Sequence, residues 1–419
     1  MNVLLHTFGC KANQYDTEVV RRRLEAAGCT IVTSARAADA AVVNSCTVTH
    51  VGEAKMRGFV RRLARARPGI QTVVMGCAAA LDDGRIAALP SVGAVVGGAD
   101  AGAVVRALGV SDAIDAPLDR FAGSARAWLK IQDGCDEHCT FCATTLARGD
   151  NRSRSVADLV AEAQRLAAAH AEIVLTGVHI GTYGADREAG GGEPPRLSAL
   201  VERLIDGVAD VRFRLSSVEA TEVDEVLARL MARYPDRLAP HLHAPLQSGS
   251  DTVLKRMGRH WYTAAAYRAR LERLAEQVQP LGLGADIIVG FPGETERDHR
   301  ATLALVAALP FTYLHVFPYS PREGTAAPRL GPPPPADVVR ARGAELRALG
   351  AEKARAHREG RHGTAADLVL EGRRAEWHDA ITEDYLPVRV PASAPWALGR
   401  RRVAARLVAA GGALLAEAA

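Results

Sequence analysis

The sequence predicts an α/β protein in three parts: an N-terminal parallel α/β domain, a central partial (βα)6 barrel and a small C-terminal β-barrel. Two observations predict this class. Short apolar strands alternate with helical patterns over about the first 355 residues, which is typical of parallel sheets. From about residue 361, short β patterns follow with glycine and proline turns between them. We therefore expect domains at residues 1–118, 119–360 and 361–419.

The N-terminal domain has five candidate strands. They cover residues 3–8, 30–33, 40–44, 71–75 and 92–96. Helical patterns separate them, so the strands should form one parallel sheet. The helix expected after Cys46 carries a basic row at i, i+4 and i+8: Arg57, Arg61 and Arg65. Such a row is either a solvated helix face or a track for a phosphate backbone.

The central domain has six candidate strands. They cover residues 127–132, 172–177, 211–217, 239–250, 283–295 and 313–325. Six βα units are too few for a closed eight-fold barrel, so we expect a partial barrel. Four prolines at 332–335 should then break the chain and begin a helix near Ala336.

The C-terminal β patterns suggest a small barrel of the oligonucleotide-binding type. This part has eight arginines and seven acidic residues, so its overall charge is a poor argument for RNA. The local basic patch to test is formed by Arg400, Arg401, Arg402 and Arg406.

Three cysteines follow the first strand of the central domain in the run GCDEHCTFC. Cys135, Cys139 and Cys142 have CxxxCxxC spacing and would lie on a loop at a strand's C-terminal end. Three thiolates on one loop can hold three corners of a four-iron cluster and leave the fourth iron open to a ligand. A zinc knuckle is the alternative, but it needs four ligands, and His138 is the only other one nearby.

Three more cysteines each end an apolar strand of the first domain. Because the strands are expected to be parallel, Cys10, Cys46 and Cys77 should meet at one edge of the sheet. They predict a second cluster, although inert buried thiols are the alternative. Cys29 precedes its strand and fits the inert alternative. His241 and His243 have no partner at ligand spacing, so we expect core or loop histidines.

The CxxxCxxC run with Phe141 before its last cysteine resembles the radical S-adenosylmethionine (SAM) superfamily. Residues 7–18 (TFGCKANQYDTE), 42–49 (VVNSCTVT) and 75–77 (MGC) resemble the N-terminal domain of the methylthiotransferases within it. The resemblance extends over essentially the whole chain, and it implies a C-terminal TRAM domain that binds RNA. It also implies that the catalytic and metal-binding cysteines hold two 4Fe-4S clusters.

The resemblance further implies which residues contact SAM. These lie in the cysteine loop and at successive strand ends: Phe141, Thr176, Gly177, Ser217, Glu219 and Ile288. One segment departs from the family pattern, because residues 143–149 read ATTLARG without the usual proline and aromatic. Three arginines remain there for a phosphate or for the carboxylate of SAM, namely Arg148, Arg152 and Arg154.

For function, the resemblance implies methylthiolation of carbon 2 of an adenine in tRNA. One SAM would donate a methyl group to sulfur at the N-terminal cluster, and a second would yield the radical that abstracts hydrogen from that carbon. The run TFGCKANQYDTE is most similar to the members that modify N6-threonylcarbamoyladenosine beside the anticodon. The alternatives are isopentenyladenosine in tRNA, an aspartate of a ribosomal protein, or a non-catalytic iron-sulfur protein that binds RNA.

Composition is consistent with a cytoplasmic enzyme. The chain has 419 residues and a formal net charge of +4, too small to indicate a nucleic-acid binder by itself. No apolar run reaches the length of a membrane span, and no signal peptide is expected. Seven cysteines argue for reduced, metal-binding thiols. Expected partners are tRNA, a sulfur source and a low-potential electron donor such as flavodoxin or ferredoxin, with no membrane.

Overall fold

The computed structural model describes residues 1–47, 50–111, 116–187 and 196–419. Its first sheet has the order β2-β1-β3-β4-β5, and all of its strand pairs are parallel. The strands are β1 Asn2–Thr7, β2 Thr30–Val32, β3 Ala40–Ser45, β4 Gln71–Gly76 and β5 Val92–Gly97. The helices are α1 Lys11–Ala26, α2 His50–Ala66, α3 Cys77–Ala80 and α4 Ala101–Ala107.

Two apolar layers enclose this sheet. The side chains of β3 alternate between the two faces, so Ala41 and Val43 pack on one layer while Ala40 and Val42 pack on the other. Burial on both faces explains why these strands are continuously apolar.

The central region is a partial barrel of parallel strands. Two sheets, β10-β9-β6 and β11-β12-β13, are joined by the bridge between Ser217 and His243 and by the bridge between Phe213 and Leu238. The strands are β6 Arg126–Lys130, β7 Gln132–Asp133, β8 Arg152–Ser153, β9 Glu172–Thr176, β10 Arg212–Leu215, β11 His241–His243, β12 Gly282–Val289 and β13 Tyr313–Pro318. Strands β7 and β8 form a separate antiparallel ribbon, so six strands form the barrel, as predicted.

The short helix α5 Thr144–Arg148 follows the cysteine loop and contacts α3 of the first region. The other helices of this part are α6 Val156–Ala167, α7 Leu197–Gly207, α8 Glu225–Arg233, α9 Asp251–Arg256, α10 Ala264–Gln277, α11 Glu296–Ala308 and α12 Ala336–Gly360. Helix α12 begins directly after the four prolines, as expected. It packs on β13, where an added Cβ at Gly350 would lie 3.1 Å from Leu314.

The C-terminal region is a closed five-stranded barrel in the order β14-β15-β16-β18-β17. Its strands are β14 Ala365–Arg373, β15 Trp377–Ile381, β16 Pro387–Pro391, β17 Arg402–Ala410 and β18 Ala413–Ala418. Alternate side chains of each strand fill its interior, including Leu368, Val388, Val403 and Leu414. The α/β class and the three expected architectures are therefore confirmed.

A buried charge cluster docks this small barrel onto the central one. Glu172 accepts hydrogen bonds from Arg212 Nε at 2.7 Å and Arg214 Nε at 2.8 Å, and all three residues are fully buried. Arg214 also donates to the carbonyls of Thr382 and Glu383, each at 2.9 Å. Buried hydrogen bonds therefore join the two barrels.

Shape complementarity adds to this contact. Gly282 has no room for a side chain, because a Cβ there would lie 2.0 Å from the carbonyl oxygen of Asp384. Tyr385 adopts a positive φ of 72° and places its ring 4.5 Å from that of His241.

Among the described residues, we find no helix whose length and apolar character would allow it to span a bilayer.

Candidate active site: two cysteine triads joined by a short helix

Cys135, Cys139 and Cys142 lie on the loop between β7 and α5, and each sulfur has a nitrogen donor beside it. The backbone N–H of Glu137 donates to Cys135 Sγ at 3.4 Å, and that of Thr144 donates to Cys142 Sγ at 3.4 Å. The third sulfur, on Cys139, lies 3.7 Å from a guanidinium nitrogen. Hydrogen bonds to cysteine sulfur are among the features that tune iron-sulfur clusters.

Hydrogen bonds of the Gln132 side chain hold the cysteine loop in place. Its side chain is fully buried, donates to the carbonyl of Gly134 at 2.6 Å and accepts from the backbone N–H groups of Val178 and His179. Gly177 sits against the same residue, because a Cβ there would lie 2.6 Å from the Gln132 carbonyl. The cysteine loop and the end of β9 are therefore fixed to each other.

A cavity of about 290 Å³ opens beside the loop. All three loop cysteines line it, and so do three of the residues predicted to contact SAM: Phe141, Ser217 and Glu219. Ile288 does not line the cavity but packs with Phe141 on one apolar cluster. Thr176 is buried in β9, opposite Lys130 in the strand register, and Gly177 adjoins Val178, which does line the cavity.

Two charged groups in this cavity were not predicted from the sequence. Arg259 forms an ion pair with Glu219 and is the guanidinium beside Cys139; its carbon Cζ lies 4.8 Å from the ring of Trp261. His179 lies 3.6 Å from Cys135 Sγ and 2.7 Å from the carboxylate of Glu222. Although burial alone would lower the pKa of His179, its contacts with Cys135 and Glu222 raise it to about 10.

The second triad forms at the carboxyl edge of the first sheet. Cys10, Cys46 and Cys77 follow β1, β3 and β4, which are neighbouring parallel strands. A Cβ at Gly9 would lie 3.0 Å from that of Cys46. Burial raises the pKa of Cys77, and the adjacent Arg148 guanidinium opposes this rise. The structure therefore places these three cysteines at the ends of neighbouring strands, on one edge of the sheet, as the parallel strand order predicted.

Local polar contacts set the shape of this edge. The side-chain amide of Asn13 donates to Asn44 Oδ1 at 2.7 Å and to the Ser45 carbonyl at 3.1 Å, which ties α1 to the end of β3. Gly76 has φ 96° and must be glycine, because a Cβ there would lie 2.3 Å from Asn44 Oδ1. Cys29 is half-buried in an apolar layer away from the triad.

Helix α5 connects the two triads. It begins two residues after Cys142 and ends at Arg148, whose Nε lies 3.2 Å from Cys77 Sγ. The same guanidinium donates to Asp16 and Asp133, each at 2.9 Å. Although burial would raise the pKa of Asp133, the charges of Lys130 and Arg148 lower it to about 2. The expected role of Arg148 in binding phosphate or SAM is therefore wrong.

The neighbouring arginines differ from one another. Arg154 donates to Tyr15 and Glu162, so it also joins the two domains and does not face a ligand. Arg152 is exposed, and its side chain donates to the carbonyls of Arg148 and Asp150.

The donor set of each triad suits an iron-sulfur cluster better than zinc. With Zn–S bonds of about 2.3 Å, zinc holds its sulfur ligands about 3.8 Å apart. Within the described part of the chain, neither triad has three sulfurs within 4.8 Å of one another. Burial raises the pKa of the Cys139 thiol, and the charge of Arg259 opposes this rise.

Two arginines of the expected RNA patch on the C-terminal barrel contact the central region. Arg402 forms an ion pair with Asp367 and donates to the Asp236 carbonyl, while Arg401 donates to the Ala168 carbonyl at 3.1 Å. These contacts help to dock the small barrel onto the central one, but Arg400, Arg401 and Arg406 are exposed, so RNA binding by this patch stays a prediction. On α2, Arg61 and Arg65 are also exposed.

Comparison with known proteins agrees with this geometry. Two family models match: Uncharacterized protein family UPF0004 at residues 2–97 and the Radical SAM superfamily at residues 129–306. The solved structure of the radical SAM methyltransferase TsrM from Kitasatospora setae aligns with a TM-score of 0.57 and 14% identity, over 75% of this chain and 72% of that one. The fold is therefore that of a radical SAM enzyme, and this superfamily implies SAM and a 4Fe-4S cluster.

Sequence relatives narrow the class further. The threonylcarbamoyladenosine tRNA methylthiotransferase MtaB of Bacillus subtilis is 38% identical over 78% of this chain and 75% of its own length. The tRNA-2-methylthio-N(6)-dimethylallyladenosine synthase of Nocardia farcinica is 34% identical over 87% of this chain and 77% of its own length. The chain belongs to the radical SAM methylthiotransferase family and is most similar to its MtaB branch.

Proposed function

We propose that this enzyme transfers a methylthio group to carbon 2 of N6-threonylcarbamoyladenosine next to the anticodon of tRNA. The MtaB relative, named for this nucleoside, supports the substrate. The contact between Arg148 and Cys77 carries the proposal, because it holds the second cysteine triad against the helix that follows the first. A reaction that joins a sulfur group to a radical carbon needs both sites within reach of one substrate.

The two triads have different roles in this proposal. Cys135, Cys139 and Cys142, on the loop that Gln132 holds beside the cavity, would hold a catalytic 4Fe-4S cluster. The N-terminal cysteines (Cys10, Cys46 and Cys77) hold a second 4Fe-4S cluster that carries the sulfur to be transferred. The cofactors, including two SAM molecules, supply the radical and the methyl group.

Side chains of the cavity bind and orient SAM. Ser217 and Glu219 offer hydrogen-bonding groups at the wall, and the ring of Phe141 offers an apolar surface beside Ile288. Thr176 and Gly177 contribute through the backbone at the end of β9. Arg259 positions Glu219 through their buried ion pair.

The remaining parts of the proposal concern partners and organisation. The domains end near residues 118 and 360, and the C-terminal barrel is a TRAM-like module. The exposed arginines of α2 contact tRNA. A low-potential donor such as flavodoxin or ferredoxin supplies electrons, a separate source supplies sulfur, and the reaction takes place in the cytoplasm.

A second candidate substrate is isopentenyladenosine, because the Nocardia farcinica relative is named for the related dimethylallyl nucleoside. Mass spectrometry of tRNA nucleosides from a strain lacking the gene separates the two. We expect unmethylthiolated N6-threonylcarbamoyladenosine to accumulate and to be converted again when the gene is restored. Cys10→Ala should fail to restore it, whereas Cys29→Ala, outside both triads, should succeed. Loss of methylthio groups from isopentenyladenosine alone would replace this substrate by the second candidate.

A further inference from the structure

Three potential metal ligands meet on the inner face of the partial barrel. His243 Nε2 lies 3.2 Å from Asp286 Oδ1, and His315 Nδ1 lies 3.1 Å from the same oxygen. All three ligand atoms lie within 4.8 Å of one another, the only set of three histidine, cysteine or carboxylate ligands this compact among the described residues. The methylthiolation scheme gives these side chains no role.

The strand register explains why they converge. Asp286 of β12 is the direct register partner of His315 in β13, and His243 of β11 pairs with Gly284, two residues before Asp286. Residues two apart in a strand point to the same face of the sheet. The three side chains are therefore placed by neighbouring strands of the barrel and not by a loop.

A hydrogen bond fixes the ring of His243. Tyr313 Oη lies 3.1 Å from His243 Nδ1 and 2.9 Å from His241 Nε2. The tyrosine ring crosses β12 at Gly284, where a Cβ would lie 2.0 Å from its Cζ atom. Metal-binding histidines commonly use their second ring nitrogen in such a hydrogen bond, which leaves the first free to coordinate. Here Nδ1 is occupied and Nε2 faces Asp286.

The exposure of the group also suits a cation. The side chains of His243, Asp286 and His315 are 10%, 28% and 55% exposed, so one side of the group is open. Asp286 also lines the cavity beside the cysteine loop.

We propose that His243, Asp286 and His315 bind one divalent transition-metal ion of the zinc class, with its open coordination positions toward the barrel interior. A tetrahedral ion with bonds of about 2.0–2.1 Å holds its ligand atoms about 3.3 Å apart, close to both measured distances to Asp286. Two histidines and one carboxylate with open positions form a recognised transition-metal ligand set. Through Asp286 the site borders the cavity assigned to SAM, but the zinc and iron measurement that tests it does not depend on methylthio transfer.

Zinc binding to the full-length, anaerobically reconstituted protein tests the site. After dialysis against metal-free buffer, equilibrium dialysis with Zn²⁺ is followed by measurement of zinc and iron in the same sample. We expect one zinc per chain with no loss of iron. His315→Ala and Asp286→Asn should each weaken zinc binding at least tenfold while iron stays constant. His260→Ala replaces another exposed histidine and should not change zinc binding.

Each other outcome overturns the proposal. Zinc uptake that displaces iron would place the metal at the cysteines. Equal zinc binding by wild type, His315→Ala and Asp286→Asn would show that these ligands are not used. Binding of no zinc by the wild-type protein would leave Asp286 as a hydrogen-bond acceptor for two imidazoles. Asp286→Asn preserves the size of the side chain, so a loss confined to His315→Ala and absent from Asp286→Asn also contradicts a shared ion.

Discussion

The guanidinium of Arg148, at the end of α5, lies 3.2 Å from the sulfur of Cys77, at the start of α3, although the two residues are 71 positions apart in the chain. Arg148 ends the five-residue helix that follows Cys142, so one helix end touches each triad. At about 1.5 Å of rise per residue, α5 spans only about 7 Å. The N-terminal sheet is therefore held against the radical SAM loop by a buried cation.

Arg148→Met should uncouple SAM cleavage from methylthio transfer. The change removes one of the two cations that Asp16 and Asp133 share and leaves Lys130, so the loss of unfolding free energy should stay below the roughly 3–5 kcal/mol of a fully broken buried ion pair. We expect SAM cleavage to be retained and methylthio transfer to fall much further. Thermal unfolding and both activities, measured anaerobically, check this. Arg152→Met removes an exposed arginine from the same segment. It should leave the unfolding temperature, SAM cleavage and methylthio transfer near their wild-type values.

The two cysteine triads should be separable by iron content and activity. Each triad is predicted to hold one four-iron cluster, so the reconstituted protein should contain about eight irons per chain. Replacing Cys135, Cys139 and Cys142 by alanine should remove half of the iron and all SAM cleavage. Full iron content in that variant would contradict the assignment.

Replacing Cys10, Cys46 and Cys77 by alanine should also remove half of the iron but should spare SAM cleavage to 5'-deoxyadenosine. No methylthio product should form, because the sulfur carrier is lost. Cys29→Ala is the matched control, since this cysteine packs in an apolar layer outside both triads. Normal product from the N-terminal triple variant would show that the second triad has no part in transfer.

The sequence predicted those parts of the site that depend on local spacing or on strand order. Cys135, Cys139 and Cys142 share one loop, so their spacing alone indicates a cluster. Cys10 and Cys77 could be assigned to one site because parallel strands bring their carboxyl ends to the same edge of the sheet. These signals need no knowledge of how the domains pack.

The contacts that sequence reasoning missed are polar and long-range. Arg259 reaches Cys139 from a different βα unit, and Arg148 reaches a different domain. Such contacts depend on how whole helices and strands pack together. The local pattern of apolar and polar residues along the sequence carries no information about that packing. His243 was expected to be a core or loop histidine because Asp286 and His315 are distant in the chain, yet strand pairing brings them together. The two-residue spacing of His241 and His243 was the available signal, since it places both on one face of a strand.

The docking of the C-terminal barrel should depend on pH through Glu172. Arg214 and Arg212 outweigh burial and hold the pKa of Glu172 well below its usual value near 4.5. A lowered native pKa stabilises the fold above the pKa of the unfolded chain, and this contribution is lost as the pH falls below about 4.5. Glu172→Gln should therefore lower stability by about 3–5 kcal/mol at pH 7.

The difference in stability between wild type and Glu172→Gln should narrow as the pH falls from 5 toward 3. Over this range, protonation of the wild-type carboxylate removes its charge and weakens its ion pairs with the arginines. Thermal unfolding of both proteins across this range measures the difference, and cluster loss in acid affects both alike. Glu371→Gln is the control. It changes a half-exposed carboxylate that pairs with Arg126 at the same domain contact, so it should cost much less. A constant difference across the range would show that Glu172 does not act through its charge.

Binding of tRNA should depend on α2 and not on Arg402 of the C-terminal barrel. Arg61 and Arg65 are exposed one helical turn apart, whereas Arg402 already forms an ion pair with Asp367. Each phosphate contact that is lost should reduce the slope of log affinity against log salt by about 0.9 on duplex nucleic acid. The double variant Arg61→Ala, Arg65→Ala should thus bind tRNA more weakly and with a flatter salt dependence, while SAM cleavage without tRNA stays unchanged. Arg340→Ala with Arg347→Ala removes two exposed arginines from α12 and is the charge-matched control.

Arg402→Ala should lower the unfolding temperature because it breaks a domain contact, but the salt dependence of tRNA binding should keep its slope. An unchanged slope in the α2 variant, or a flatter slope in Arg402→Ala, would move the RNA surface away from α2.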